Sequence, residues 1–80
     1  MKLNALAEEY RLSGEACRER AVMLESQLRC RLREGTLGAL ETMRARRRIA
    51  ALRSMARDCA ATAAYLEHYY DRGISFERYI

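Results

Sequence analysis

Apolar and small residues recur in the first half of the chain at alternating steps of three and four, through Leu3, Ala7, Tyr10, Gly14, Cys17, Ala21, Leu24 and Leu28. That spacing marks one stripe on an α-helix, not the strict alternation of a strand. A second stripe of the same kind runs through Ala45, Ile49, Leu52, Ala56, Cys59, Ala63, Leu66 and Tyr70. Between the two, Glu34-Gly35-Thr36-Leu37-Gly38 interrupts the pattern and reads as a hairpin bend. Gly35 suits the left-handed conformation that closes a helix, and the Thr36 hydroxyl is expected to cap the first free amides of the next one. The pattern predicts an all-α chain: helix 1 over about residues 4–33 with Asn4 as N-cap, the bend over 34–38, and helix 2 over about 37–72, stopped by Gly73. A tail, residues 73–80, is apolar enough to dock and too short to fold alone.

Folding the chain back at the bend gives an antiparallel two-helix hairpin, a single domain over residues 1–80. Stripe residues whose numbers sum to 73 then face each other: Leu28 with Ala45, Leu24 with Ile49, Ala21 with Leu52, Cys17 with Ala56, Gly14 with Cys59, Tyr10 with Ala63, Ala7 with Leu66, Leu3 with Tyr70. In most layers a small residue meets a larger one, which lets two helices pack without voids. Ser13-Gly14 could instead cap a new helix and divide the first segment. Packing is the favoured reason for Gly14, since a glycine inside a helix costs only ~1 kcal/mol.

Two flanks remain outside that seam. One is mostly charged, with Glu8, Arg11, Glu15, Arg18 and Arg29 beside Arg53, Arg57, Glu67 and Asp71, and is expected to face water. The other carries Leu6, Ala16, Met23 and Cys30 beside Ala51, Met55, Thr62, Tyr65 and Tyr69. A hairpin cannot bury this second apolar face by itself, so dimerisation into a four-helix bundle through Leu6, Met23, Met55, Tyr65 and Tyr69 is expected. The competing occupant is the tail, through Ile74, Phe76 and Tyr79.

The absence of proline and the small size, 80 residues, agree with long helices and a core too small to leave stability to spare. Glu8 and Glu9 arrive before any apolar run of signal-peptide length, and the longest uncharged run, residues 59–66, is far too short to span a bilayer, so a cytoplasmic protein is expected. Cys17, Cys30 and Cys59 form an odd set without C-x-x-C spacing and read as reduced thiols, neither a disulfide framework nor a metal site. His68 falls on the outer face of helix 2, and the tyrosines have packing spacing. No enzyme, cofactor or small-molecule substrate is expected.

Charge changes the picture most. Residues 29–48 hold Arg29, Arg31, Arg33, Arg44, Arg46, Arg47 and Arg48 against Glu34 and Glu41, a net +5 in a chain whose total is +4. Folding gathers them at the bend, where guanidinium forks suit phosphate oxygens. The chain therefore reads as a small helical interaction protein, dimeric, whose basic tip contacts nucleic acid or another polyanion. The alternative is a protein–protein adaptor or antitoxin-like regulator that meets an acidic partner through its tyrosine and methionine face. A third reading, helix 44–57 lying on an anionic membrane, is disfavoured because the hairpin hides the apolar side of that helix.

Overall fold

The computed structural model describes the backbone of residues 2–71 and the side chains of residues 4–68. Two α-helices, α1 over Lys2–Glu34 and α2 over Ala39–Asp71, pack side by side as an antiparallel hairpin. The result is a rod of 59 × 17 × 14 Å. On α1 the buried positions are Ala7, Gly14, Ala21 and Leu28, one every seven residues; on α2 they are Ile49 and Ala63, with Ala56 half-buried between them. The seven-residue repeat keeps one stripe of each helix against its neighbour along the whole rod.

The register is the one the size-matched layers require. A methyl group built on Gly14 would stand 3.1 Å from Cys59 Cβ and 3.3 Å from the Ala56 carbonyl oxygen. Gly14 is therefore a contact residue, and α1 runs through Ser13-Gly14 without a break. Toward the bend, Ala21, Leu28 and Ile49 form the buried cluster, joined by half-buried Leu24, Ala45, Leu52 and Leu37. This cluster holds both residues of each expected layer Ala21–Leu52, Leu24–Ile49 and Leu28–Ala45. Leu37, a bend residue outside both stripes, closes this end of the seam.

The bend differs from expectation in one respect. Gly35, at φ 72°, closes α1 as its conformational freedom predicts: its amide donates to the Leu32 carbonyl at 3.1 Å and the Thr36 amide donates to the Arg31 carbonyl at 3.1 Å. This is the paired 5→2 and 6→1 arrangement of a Schellman cap. The Thr36 hydroxyl, however, donates to that same Arg31 carbonyl at 3.2 Å instead of capping α2. A hydroxyl donates as readily as it accepts, and the last turn of α1 holds free carbonyls beside it. The α2 helix accordingly starts later than expected, at Ala39, with Gly38 accepting its first bond from the Thr42 amide at 3.0 Å. At the other end α1 already includes Lys2, so Asn4 is inside the helix and is not its N-cap. Gly73, the Leu3–Tyr70 layer and the tail of residues 73–80 lie outside the described residues or side chains.

Replacing Gly14 by Leu should lower stability by ~1 to 3 kcal/mol, because overpacking against Cys59 and the Ala56 carbonyl outweighs the gain in helix propensity of under ~1 kcal/mol. Urea titration checks this; an unchanged or raised midpoint would mean that the helices do not approach at Gly14.

Candidate polyanion interface

The bend gathers the candidate residues because the Schellman cap turns the chain within Gly35–Gly38 and so lays the last turns of α1 beside the first turns of α2. All seven arginines of this end, Arg29, Arg31, Arg33, Arg44, Arg46, Arg47 and Arg48, are exposed. They do not form one flat patch. Arg31, Arg44 and Arg48 line a groove on one side of the seam, over Leu24, Leu28 and Leu37. On the other side Arg29, Arg46 and Arg53 edge a second groove floored by Leu28, Leu32, Ile49 and Ala50. A third depression lies between Arg46 and Arg47 over Leu37, Met43 and Ala50. Helical rotation of ~100° per residue explains the spread, since consecutive arginines at 46, 47 and 48 must point in different directions.

Within this end the carboxylates claim little of the charge. Arg31 Nη2 stands 3.9 Å from Glu41 Oε2, a loose and exposed pair of the kind worth under ~1 kcal/mol. Further along, Arg53 Nε donates to Glu25 Oε1 at 2.7 Å across the seam, and Arg11 is paired with Glu8 and with Glu67 across the seam. Two cross-helix ion pairs thus lace the flank on which Arg11, Glu25, Arg53 and Glu67 lie, and these four are half-buried.

That flank is less uniformly charged than the helical periodicity predicts. Toward the bend it exposes Val22, Leu32 and Met43. Arg53 as a groove residue, and this apolar floor, lie off the main stripes, which is why periodicity alone does not single them out. Their signal is a parallel series summing to 78, Arg11 with Glu67, Glu25 with Arg53 and Leu32 with Arg46. On the opposite flank Leu6, Met23, Met55 and Tyr65 are exposed, Met55 at 52% and Tyr65 at 63%, while Thr62 is half-buried. The Tyr69 side chain lies outside the described residues.

The remaining reactive groups are sparse. Cys17 and Cys59 are half-buried free thiols on the seam, His68 is exposed, and among the described residues no cluster of three or more His, Cys, Asp or Glu side chains is placed to hold a metal. Neither helix, among the described residues, is long and apolar enough to cross a membrane. Cys30, exposed, donates its thiol proton to Glu34 Oε1 at 3.0 Å. That hydrogen bond, and then the charge of the Glu34 carboxylate, holds the Cys30 thiol above its ordinary pKa of 9.0. No protein-family model, no curated protein and no solved structure matches this chain.

Glu34→Gln should lower the pKa of Cys30, since it removes the charge that opposes the thiolate, and so speed alkylation of Cys30 by iodoacetamide at pH 8. Mass spectrometry of the labelled peptide reads the rate; no acceleration would show that Glu34 does not hold the thiol.

Proposed function

We propose that this chain is a non-enzymatic helical interaction protein that binds the phosphate backbone of a nucleic acid through the bend. The observation that carries the reading is the exposure of all seven arginines at one end, with only Arg31 engaged by a carboxylate among the described residues. Each contact with a phosphate releases condensed counterions, and a guanidinium fork keeps its charge at any physiological pH. Because the arginines radiate around the rod, a straight duplex laid on one side reaches about three or four of them, whereas a flexible single strand can follow the tip and reach both sides. Backbone contacts of this sort carry little sequence information.

Self-association belongs to the same reading. The exposed flank of Leu6, Met23, Met55 and Tyr65, continued in sequence by Tyr69, is the surface that a second hairpin would cover in a four-helix bundle. A second reading rests on the groove edged by Arg29 and Arg46, with Arg53 held by Glu25: an apolar floor beside these two guanidinium groups suits an amphipathic helix bearing carboxylates, which would make the chain an adaptor for an acidic protein.

Binding to a single-stranded oligonucleotide should weaken with a slope of log affinity against log salt of about −3 to −5, the value for four to seven phosphate contacts at roughly 0.7 each on a single strand. Arg46→Glu, Arg47→Glu and Arg48→Glu together should abolish binding with helicity unchanged. Absence of any affinity for RNA or DNA at ~50 mM salt, where such contacts are least screened, would reject the nucleic-acid reading and leave the adaptor.

Met23→Glu combined with Met55→Glu should lower the mass seen by sedimentation and remove the dependence of thermal stability on protein concentration. Both side chains are exposed in the single hairpin, so in a monomer these changes should stay within about ±0.5 kcal/mol each. A monomeric unmodified protein at micromolar concentration would remove the bundle from the proposal.

A further inference from the structure

The hairpin is an electrical dipole. Its bend, residues 29–48, carries +5, while its open end, residues 2–15 and 58–71, sets Lys2 and Arg11 against Glu8, Glu9, Glu15, Asp58, Glu67 and Asp71, a net −4. The two halves sit at opposite ends of a 59 Å rod, several Debye lengths of ~8 Å apart at physiological salt, so neither neutralises the other within one hairpin. We infer that the exposed Met23 and Met55 flank is occupied by a second copy of this chain in antiparallel orientation, with the basic bend of each hairpin lying beside the acidic open end of the other. The inference rests on the self-association reading above and adds to it the direction of packing.

Three observations support it. First, surface: Leu6, Met23, Met55 and Tyr65 form a flank of exposed large apolar side chains that the hairpin seam does not cover. Second, charge: side-by-side packing with both bends at one end would bring two +5 clusters within an interhelical distance of about 10 Å. Reversing one copy replaces that repulsion by attraction at both ends. Third, the layers: placing the two-fold axis at Met55 puts α2 residues summing to 110 and α1 residues summing to about 36 opposite each other. The two Met55 side chains then meet at the axis, Arg48 lies over Thr62 of the second copy, Met23 over Ser13 and Arg20 over Ala16, so away from the axis larger side chains meet smaller ones and no like charges meet in these pairs. Arg20, Arg44 and Arg48, on this flank, make no ion pair among the described residues. Arg29, Arg33, Arg46 and Arg47 point elsewhere and stay available at two polyanion sites, one at each end of the assembly.

A nitroxide on a cysteine introduced by Arg33→Cys, outside the proposed contact, with Cys17, Cys30 and Cys59 changed to Ala, reads the orientation by pulsed electron spin resonance. Arg33 lies about 15 residues toward the bend from the level of the axis, so antiparallel packing separates the two labels by about 45 Å at ~1.5 Å per residue. Packing with both bends together holds them within about 30 Å. A distance near 45 Å supports the inference. A short distance overturns it while leaving self-association intact, and a monomer overturns both. The unmodified protein supplies an independent reading: raising salt from 50 to 500 mM should weaken the antiparallel dimer several-fold, whereas a dimer with its bends together would tighten. Neither measurement involves nucleic acid, so loss of polyanion binding and loss of this arrangement are told apart.

Discussion

The close approach of α1 to α2 at Ala7, Gly14 and Ala21 governs everything else in this rod. At these three levels α1 offers a methyl group or nothing to the seam, which allows the backbones to draw together and gives the register its sharpness. The same choice limits what the seam can contribute, since a buried methyl is worth only ~0.8 kcal/mol while ordering each residue's backbone costs ~1 to 2 kcal/mol. Among the described residues, the large side chains that are buried lie in the bend half. Leu28 and Ile49, at 9% and 7% exposed, are the only large residues in the buried cluster, and every member of that cluster lies between residues 21 and 52. The open half is held by Ala7, Gly14 and Ala63 with half-buried Cys17, Cys59 and Leu66 and the Arg11–Glu67 pair, so large buried side chains thin out away from the bend.

At the bend, local backbone chemistry and charge are arranged by the same few residues. The Arg31 carbonyl accepts from both the amide and the hydroxyl of Thr36, which ends α1 abruptly and lets α2 start within a few residues. An abrupt turn concentrates positive charge and therefore self-repulsion. The radial spread of Arg44, Arg46, Arg47 and Arg48 around α2 relieves part of it, with a guanidinium pointing to each side, and Glu41 in the first turn of α2 suits both the helix dipole and Arg31. An anion bound here, as proposed above, would relieve the rest, so the arrangement that costs the isolated hairpin stability would be the one that favours such a ligand.

The helices and their register were legible in the chain because both follow from one periodicity read twice, and Gly14 opposite Cys59 is its sharpest instance. Features governed by competition between equivalent local bonds were not legible. Thr36 had free amides on one side and free carbonyls on the other, and only the folded backbone decides between them. Asn4 is a good cap, yet nothing in Lys2 or Leu3 opposes the helix, so α1 begins before it. The clustering of seven arginines at one end followed from the bend alone, but their division between two grooves required the helical phase of each one. Leu32, Met43 and Ala50 escaped because an apolar residue off the main stripe looks like noise until its neighbours on the other helix are known.

The gradient of cohesion and the gradient of charge run along the same axis, and this bears on what the proposed association would do for the fold. Each hairpin is well packed and strongly basic near its bend, weakly packed and acidic near its open end. A second copy laid alongside in the reversed sense brings its large-residue, positively charged half next to the small-residue, negatively charged half of the first. Both deficits are then met at one place. The loose end acquires apolar neighbours, while the carboxylates near Glu9 and Asp58 acquire the counter-charge that their own hairpin holds at the far end of a 59 Å rod. Stability and association are linked in such an arrangement, because the contacts that hold the open end closed are contributed by the other chain.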